Sequence, residues 1–344
     1  MRDTHMNLKY ALLLTLSLST MPFAVLAEDK EDEDLKYLSI SHENDNLGGG
    51  TDRFYTSGAR ITLFDADINV PPGIDRMADK IPTFDLNDTT ATFYSLGHNI
   101  YTPEDIRIES QPQDDRPWAA FLYGSVGMAT ATFAEDGDID HVDELEFTLG
   151  VVGPEALGKP IQRFVHKYLS NSPDPRGWKN QLKFEPGIVV SWQRRAPYFL
   201  ETDFGPVNAR IEPNFSVSLG NIRTNLGAGA MFILGSDRKL DTPPRVRPAV
   251  PGTGYFGTPD DEFNWQIFAG FDGRLIGRDI FLDGNSFTDS HSVDKRYAVG
   301  DLSAGISLFY DDYRLSYTLN MRTKEFKTQS EESIFGSLTF TARF

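Results

Sequence analysis

A polar, glycine-rich stretch from His42 to Gly58 contains side chains that could bind a cation and stabilise an anionic reaction intermediate. The Asp45 carboxylate is a hard oxygen ligand of the kind that calcium binds, and the glycines that follow would let backbone carbonyls approach the same ion. Asn44 and Thr56 could donate hydrogen bonds beside such a site. The stretch therefore predicts a functional loop. The alternative is a solvated hairpin loop in which Asp45 only caps a turn.

A second group of residues lies in a segment with helical periodicity, Pro154 to Leu169, whose first residue suits the first turn of a helix. Gln162 and His166 are four residues apart, which places both on one flank of the predicted helix, where Gln162 could support His166. We expect the apolar stripe beside them to dock on the rest of the protein; it consists of Ile161, Phe164, Val165, Tyr168 and Leu169.

The two groups together predict hydrolysis of a carbonyl compound. A neutral imidazole, whose unperturbed pKa is about 6.5, could take a proton from water near neutral pH and direct the water at a carbonyl carbon. A calcium ion on Asp45 would polarise that carbonyl and offset the charge of the resulting oxyanion. The alternative for His166 is a packed or solvated side chain at the edge of an apolar stripe.

Other chemistries and partners are excluded by composition and spacing. The chain has no cysteine, so neither disulfides nor thiol chemistry is available. His42, His98, His141 and His291 show no HExxH spacing, and a Gly-x-Ser-x-Gly motif is absent, which argues against a histidine-bound zinc site and a serine hydrolase. A net charge of -17 argues against a nucleic-acid partner.

The amino-terminal region has the three parts of a secretory signal peptide: a basic start at Met6 to Lys9, an apolar run from Tyr10 to Phe23, and the cleavage sequence Val25-Leu26-Ala27. We predict cleavage after Ala27, with Met1 to His5 as an upstream extension. Residues 28–344 would then form the exported domain. The apolar run is short for a membrane-spanning helix, and no later segment is a candidate for one.

The rest of the chain contains about twelve strand-like segments, each roughly the length of a tilted transmembrane strand. They are Lys36–Asn44, Tyr55–Asp65, Thr90–Tyr101, Trp118–Phe133, Glu144–Val152, Leu182–Tyr198, Ala209–Gly220, Asn225–Gly235, Phe263–Arg278, Arg296–Tyr310, Tyr313–Thr323 and Ser333–Phe344. In Glu144 to Val151, polar and apolar residues alternate as they would between a polar lumen and lipid. The pattern predicts an all-β fold, an antiparallel transmembrane β-barrel of about 12 strands with one short helix in a connecting segment. The alternative is a secreted sandwich.

With both termini in the periplasm, the connections after odd-numbered strands would face the cell exterior. Glu43–Phe54, Thr102–Pro117 and Gly153–Gln181 would then lie together at the extracellular rim, with all the chemically suggestive residues. Asn44 shares strand parity with the lipid-facing Leu38 and Ile40, so the site would straddle the wall and could meet a lipid in the outer leaflet. Ser236 to Glu262 falls on the periplasmic side, where barrels usually have short turns.

These residues resemble a known family, the LpxR-type lipid A 3'-O-deacylases of the Gram-negative outer membrane, which are twelve-stranded barrels. The resemblance spans nearly the whole mature chain. Its most specific pieces are Glu43-Asn44-Asp45, Thr51-Asp52-Arg53, Tyr55-Thr56-Ser57-Gly58, Asp115-Arg116-Pro117-Trp118, Gly150-Val151-Val152-Gly153-Pro154, Gln162 to His166, Gly177-Trp178 and Gln181. The terminal Phe344 resembles the signal by which the barrel assembly machinery recognises outer-membrane barrels.

The resemblance implies that Asn44, Asp45, Thr56 and His166 match the active-site positions of the family. The implied reaction is calcium-dependent hydrolysis of the ester that carries the 3'-acyloxyacyl group of lipid A, by a mechanism that resembles that of phospholipase A2. The histidine would activate water, while calcium and nearby donors stabilise the oxyanion. Lipopolysaccharide and other outer-membrane lipids would be the molecules that the protein meets.

One departure from the family lies after the third strand. Family members use basic residues there to meet the lipid A phosphates, whereas Thr102 to Pro117 contains only Arg107 and Arg116 among several acids. Lipid A with fewer phosphates would fit this acidic rim better. No catalytic role is transferred to residues between His166 and Trp178, because that segment is irregular. Two other functions stay open, an outer-membrane phospholipase and a passive pore or adhesive barrel.

Overall fold

The structure, a computed structural model, describes residues 36–50, 53–65, 84, 86–135, 137–170, 172–237, 240–244 and 263–344. The predicted signal peptide 1–27 and its cleavage site lie outside these residues. Within the described ranges, no helix has the length and apolar character that crossing a membrane requires.

The alternating segments form thirteen antiparallel strands of one sheet. Their bounds are β1 Lys36–Asn44, β2 Phe54–Asp65, β3 Ala91–Thr102, β4 Ala119–Phe133, β5 Ile139–Val152, β6 Glu185–Arg195, β7 Leu200–Phe204, β8 Val207–Gly220, β9 Arg223–Gly235, β10 Asn264–Asp279, β11 Ala298–Tyr310, β12 Tyr313–Arg322 and β13 Ser333–Arg343. Because β1 pairs with β13 and β6 pairs with β8, all strands except β7 close into a barrel of twelve. The predicted barrel of about 12 strands is confirmed.

The strand β7 was not predicted from the sequence pattern, and neither was the four-residue helix at Ile280–Asp283. The strand β7 has only 5 residues and pairs with the first part of β8, from Val207 to Ile211, while β6 pairs with the later part, from Asn214 to Gly220. The strand β6 is shorter than the segment Leu182–Tyr198 predicted for it. The strand β5 is longer than the predicted segment Glu144–Val152, since it begins at Ile139.

Alternation along the strands separates an apolar outer wall from a polar lumen. On β5, Leu149 is 63% exposed on the outside, whereas Glu146 is 2% exposed and accepts a hydrogen bond from Arg60 Nη2 at 2.9 Å inside. A second ion pair in the lumen joins Arg274 to Asp301 at 2.8 Å. A closed sheet leaves few backbone groups unpaired in lipid, and the paired lumen charges cross-link strands far apart in sequence.

The connection between β9 and β10, predicted at the periplasmic side, lies at the end of the barrel opposite to Asn44. Its described part, Leu240 to Pro244, enters the lumen, where Asp241 accepts a hydrogen bond from Arg314 Nη1 at 2.6 Å. The Thr242 hydroxyl donates to Glu212 at 2.8 Å. This segment is here called the lumen plug.

The connections predicted to meet at the other end do so. Arg53, between β1 and β2, pairs with Glu104 after β3 at 3.0 Å, and the Arg176 amide after β5 donates to the Ile106 carbonyl at 2.9 Å. The connection between β12 and β13 joins them, since Arg53 also pairs with Glu331 at 2.6 Å. This end of the barrel, which holds Asn44, is called the rim below.

The segment after β5 forms a 3-10 turn at Pro154–Ala156, the helix α1 at Gly158–Val165 and a π-helical turn at His166–Ser170. The expectation that the apolar stripe docks on the barrel was wrong. Ile161, Phe164 and Tyr168 are exposed, and the polar residues Gln162 and His166 are buried against the wall. The reason is that the surroundings of an outer wall are apolar, so the apolar face turns outward.

Candidate active site at the rim of the barrel

The end of β1 is joined to the start of β2 by one side chain. Asn44 Nδ2 donates to the Thr56 carbonyl at 3.0 Å, and Asn44 Oδ1 accepts from the Asn46 amide at 2.8 Å, so Asn44 caps the 3-10 turn Asp45–Leu47. An extended residue with an amide side chain is a favoured cap, because it satisfies a backbone donor left free by the turn. Asn44 thus fixes both Thr56 and the loop that carries Asp45.

Thr56 occupies a β-bulge. Tyr55 pairs with Tyr101 and Ser57 pairs with Ile100, so Thr56 is the extra residue of β2 opposite β3. A bulge redirects a side chain that regular pairing would place elsewhere. The Thr56 hydroxyl lies 2.7 Å from the Thr102 hydroxyl, at the end of β3.

A buried pair fixes the same strand positions from the lumen side. The Tyr55 hydroxyl donates to Glu43 Oε2 at 2.5 Å, and the Tyr55 ring packs edge-on against Phe335 with ring centroids 5.1 Å apart. Gly58 makes this possible, because a Cβ there would overlap the Tyr55 hydroxyl. The residues next to Asn44 and Thr56 are therefore held inside the barrel. The sequence alone does not reveal this role of Glu43 and Tyr55, although both residues lie in the motifs that carry the family resemblance.

Asp45 is 2% exposed and is enclosed by backbone donors. Its Oδ2 accepts from the Arg53 amide at 2.5 Å. Its carbonyl accepts from the amides of Gly48, Gly49 and Gly50 at 3.2, 2.7 and 3.0 Å. The glycine run therefore presents its N–H groups to the Asp45 carbonyl, whereas the sequence pattern suggested that its carbonyls approach a shared cation.

The atoms at this end of β1 and β2 that could bind a metal ion are oxygens, which are the ligands that a hard cation such as calcium prefers. They are the Asp45 carboxylate, Asn44 Oδ1 and the Thr56 hydroxyl. Among the described residues, no group of three or more His, Asp or Glu side chains gathers around a point that could hold a metal ion. A site with one carboxylate would bind calcium weakly, because calcium affinity rises with ligand charge.

His166 is 6% exposed and has a defined orientation. Its Nδ1 lies 2.6 Å from the Pro173 carbonyl oxygen, in the loop after the π-helical turn. A carbonyl oxygen can only accept, so Nδ1 carries the proton of the neutral ring and Nε2 keeps the lone pair. The residue that sets this tautomer lies in the irregular segment to which the sequence assigned no role.

The rest of the helix is fixed to the outer wall by an aromatic cluster. Trp178 Nε1 donates to Gln162 Oε1 at 2.7 Å, and the Trp178 ring packs on Trp118 with centroids 5.2 Å apart. His98 on β3 donates from Nε2 to the Ala156 carbonyl at 2.7 Å. Gln162 therefore supports the helix against Trp178, which sequence analysis recognised only as part of a motif.

Both halves of the candidate site contact β3. Thr102 contacts Thr56, and Ile100, two residues earlier, packs with Ala156 and Trp178 in the cluster below α1. The structure thus joins Asn44 directly to Thr56 and places Asp45 next to Asn44, whereas His166 lies in the π-helical turn after α1.

The two basic residues between β3 and β4 are both paired. Arg107 is exposed and bonds to Asp105 at 2.8 Å; this hydrogen bond lowers the pKa of Asp105 to about 2. Arg116 is completely buried and contacts Glu325 at 3.1 Å. The departure noted in the sequence therefore extends to the structure, since neither guanidinium is presented unpaired at the rim.

A closed antiparallel barrel with an apolar outer wall, a polar lumen and a polar site at one rim defines an outer-membrane β-barrel protein. Residues 11–344 match the model of the family described as outer membrane protein LpxR. The chain belongs to this family, as the resemblance predicted.

A solved structure shares this fold, and two others are similar at lower TM-scores. The structure of LpxR from Salmonella typhimurium is 22% identical with a TM-score of 0.71, covering 90% of this chain and 100% of that one. The β domain of the Bordetella autotransporter BrkA is 11% identical with a TM-score of 0.43, covering 91% of this chain and 99% of that one. The translocator domain of NalP from Neisseria meningitidis is 10% identical with a TM-score of 0.36, covering 97% and 96%. No curated protein sequence matches the chain.

Proposed function

We propose that this protein is a lipid A 3'-O-deacylase of the outer membrane, which hydrolyses the ester carrying the 3'-acyloxyacyl chain. Membership of the LpxR family supports the substrate class. The single observation that carries the chemistry is the hydrogen bond from His166 Nδ1 to the Pro173 carbonyl, because it leaves Nε2 as a basic nitrogen on a buried, oriented ring. An imidazole held in this way is suited to general-base catalysis.

In this mechanism, His166 Nε2 takes a proton from water as the water oxygen bonds to the ester carbonyl carbon. The tetrahedral intermediate then collapses with cleavage of the bond between that carbon and the sugar oxygen. The imidazolium returns its proton to the sugar oxygen. The products are the acyloxyacyl carboxylic acid and a free sugar hydroxyl. The Pro173 carbonyl keeps the ring in the same tautomer before and after the cycle.

The oxyanion is stabilised by donors beside Thr56. The hydroxyls of Thr56 and Thr102 share one hydrogen bond, so one of their two hydrogens spans the pair and the other is available. Asn44 donates one amide hydrogen to the Thr56 carbonyl and has a second one. Donors fixed in advance cost no reorganisation when charge develops on the substrate.

Asp45 would hold a calcium ion, with further oxygen ligands from Asn44, Thr56, backbone carbonyls or water. Bound calcium would supply Lewis-acid stabilisation of the oxyanion. The contribution of the chain itself is to hold the Asp45 carboxylate in place through the Arg53 amide.

The exposed apolar face of the helical segment Leu157 to Tyr168 favours a lipid substrate. Leu157, Ile161, Phe164 and Tyr168 are exposed next to the buried face that holds His166. A helix of this kind lies in the interface of a membrane with its apolar face in the acyl region. A lipid in the outer leaflet could then present its ester to the site without leaving the membrane. We further propose export with cleavage after Ala27 and recognition of Phe344 by the barrel assembly machinery.

The described residues of the lumen argue against a passive pore. Arg60 and Glu146 form an ion pair in the lumen, and Asp241 of the lumen plug pairs with Arg314 near the opposite end. Between these layers, the cavity has a volume of about 60 Å³. A volume of this size holds a few water molecules, which is far from an open channel.

The experiment is mass spectrometry of lipid A from Gram-negative cells that express the wild-type chain, the His166→Ala variant or the His141→Ala variant. His141 lies on β5 near the opposite end of the barrel and serves as the matched control. We expect loss of the 3'-acyloxyacyl group with the wild type and the control. The His166→Ala rate should fall by about 10²- to 10⁴-fold, as for loss of a general base.

Outcomes that reject the proposal are equally defined. A folded wild-type protein that leaves lipid A intact but releases fatty acid from phospholipid is a phospholipase. Near wild-type deacylation by His166→Ala would remove the histidine from the mechanism. Failure of His166→Ala to assemble, seen as loss of heat-modifiable gel mobility, would assign His166 to packing.

A further inference from the structure

The helical segment that carries His166 also carries a stripe of positive charge. Lys159, Arg163 and Lys167 follow one another at four-residue spacing, and all three are exposed. Residues spaced by four are neighbours on a helix surface, so the three cations form one row. The row extends about 12 Å at a rise of 1.5 Å per residue. It belongs to a chain with 50 acidic and 33 basic residues, so it is not a sample of a generally basic surface.

The lysines of this row are not neutralised within the described residues. Neither Lys159 nor Lys167 forms an ion pair there, and Lys167 Nζ lies 4.9 Å from the centroid of the Tyr168 ring. Arg163 Nε lies 3.3 Å from Asp174, but both side chains are about half exposed, so water and salt weaken this pair. Glu155, four residues before Lys159, lies in the 3-10 turn before α1.

Three other cations of the rim have carboxylate partners. Arg107 pairs with Asp105, and Lys179 pairs with Glu109 at 2.7 Å. Arg53 bonds to two glutamates at 3.0 and 2.6 Å. The row formed by Lys159, Arg163 and Lys167 differs from these three cations, because its two lysines form no ion pair within the described residues.

The position of the row indicates which anion it meets. The apolar residues Leu157, Phe164 and Tyr168 are exposed on the same segment, and the rings of Phe164 and Tyr168 lie 5.2 Å apart between centroids. A helix with adjacent apolar and basic faces binds where acyl chains meet charged headgroups. Gln162 and His166 on the buried face each precede a cation of the row, Arg163 and Lys167, by one residue. A headgroup bound by the row would therefore lie beside His166.

We propose that Lys159, Arg163 and Lys167 bind the phosphate groups of the lipid A headgroup and thereby place the scissile ester at His166. The inference rests on the proposed function and adds to it the residues that recognise the substrate. Phosphate recognition is thus assigned to the helical segment after β5, where Lys159 and Lys167 form no ion pair with the described residues. The connection between β3 and β4, whose two arginines are paired, does not supply it.

The test measures binding rather than turnover. The detergent-solubilised full chain carries His166→Ala, so that lipid is not consumed, and is titrated with lipid A that bears two phosphates and with the same lipid A after dephosphorylation. The test variant is Lys159→Gln/Lys167→Gln. The matched control is Lys324→Gln/Lys327→Gln, which removes the same charge from the connection between β12 and β13, where Lys327 pairs with Asp294.

Each lysine near an anionic lipid contributes about fivefold, which corresponds to about 1 kcal/mol at 25 °C. We therefore expect the test variant to bind bisphosphorylated lipid A about 30-fold more weakly at low salt, with a smaller difference at high salt. The affinity for dephosphorylated lipid A should be unchanged. The control variant should bind both lipids with the same affinity as the His166→Ala protein without lysine substitutions. Lys159→Arg/Lys167→Arg keeps the charge and should restore binding.

Three results would overturn the inference. They are equal losses in the test and control variants, an equal loss for dephosphorylated lipid A, and an equal loss for micelles of phosphatidylglycerol, which would assign the row to anionic membrane lipids in general. If the double glutamine variant fails to assemble, Lys159→Gln alone is measured with an expected loss of about fivefold. Acyl release by the unsubstituted enzyme is scored separately, so failure of the proposed function is distinguishable from failure of this inference.

Discussion

The hydroxyl pair of Thr56 and Thr102 gives the sharpest test of how the wall orients the site. Thr102→Val keeps the shape of the side chain and removes the hydroxyl that lies 2.7 Å from Thr56. A hydrogen bond of this type contributes about 1 kcal/mol, and 1.36 kcal/mol is a factor of ten in rate. We therefore expect kcat/KM for acyl release to fall about fivefold, because the Thr56 hydroxyl loses the partner that orients it.

Thr56→Val removes the proposed oxyanion donor itself. Loss of such a donor typically costs about 10²- to 10³-fold in kcat. The double variant should be no slower than Thr56→Val alone, because Thr102 then has no hydroxyl left to orient. The cycle would thus give a coupling energy of about 1 kcal/mol between the two positions.

The assay is the initial rate of acyl release from lipid A in detergent micelles, with kcat and KM determined separately. The control is Thr130→Val, since Thr130 shares a hydroxyl hydrogen bond of 3.1 Å with Thr90 near the other end of the barrel. Thr130→Val should leave the rate unchanged. Additive losses in the double variant, or an unchanged rate for Thr102→Val, would refute the argument that β3 orients the donor.

Three further predictions concern the metal, the helix and the buried charges. Asp45→Ala should abolish activity at ordinary calcium levels, and calcium added after chelation should restore only the wild type; activity that survives chelation in both would remove the metal from the mechanism. Trp178→Phe keeps an aromatic side chain but removes the indole N–H that donates to the buried Gln162 amide oxygen, so unfolding should become easier by about 1–3 kcal/mol or more, measured as a lower thermal midpoint. Burial would raise the pKa of Glu325, but the charges of Arg116 and Arg322 outweigh burial and hold it below its ordinary value. Because the folded-state pKa is lowered, this contribution is complete above about pH 4.3 and is lost as pH falls through the folded-state pKa. The stability gap between wild type and Glu325→Gln should therefore shrink below about pH 4.

The barrel was predictable from sequence because its defining signal is local. Strand alternation needs only neighbouring residues, and in β5 the exposed Leu149 and the buried Glu146 lie on the faces that the pattern assigns. The strand β7 was missed because five residues give too little alternation to separate a strand from a turn.

The helix shows where the local signal ends. Periodicity correctly placed Gln162 and His166 on one flank, but it does not say which face meets the barrel. That choice depends on the medium around the wall. Against an apolar medium the exposed Phe164 lowers the free energy, whereas in water the same residue would have been buried.

Other features of the site depend on partners far away in the chain. The bulge at Thr56 exists only relative to the register of β3, so the sequence of β2 alone does not show it. The tautomer of His166 depends on the conformation of the loop that carries Pro173. The position of the lumen plug depends on Asp241 pairing with Arg314, 73 residues later.

The wall between lumen and membrane connects the two chemistries of this molecule. On β1, Glu43 faces the lumen and Asn44 faces outward. On β2, Tyr55 faces the lumen and Thr56, at the bulge, faces outward. The hydrogen bond between Tyr55 and Glu43 in the lumen is 2.5 Å long, and the one between Asn44 and Thr56 on the outside is 3.0 Å long. Both bonds join β1 to β2, so the lumen pair also fixes the backbone that carries the outer pair. A lumen packed with paired charges is unsuited to a pore, but it supports the outer surface rigidly. This explains why a barrel closed at its core would carry its active site on the wall that faces the lipid.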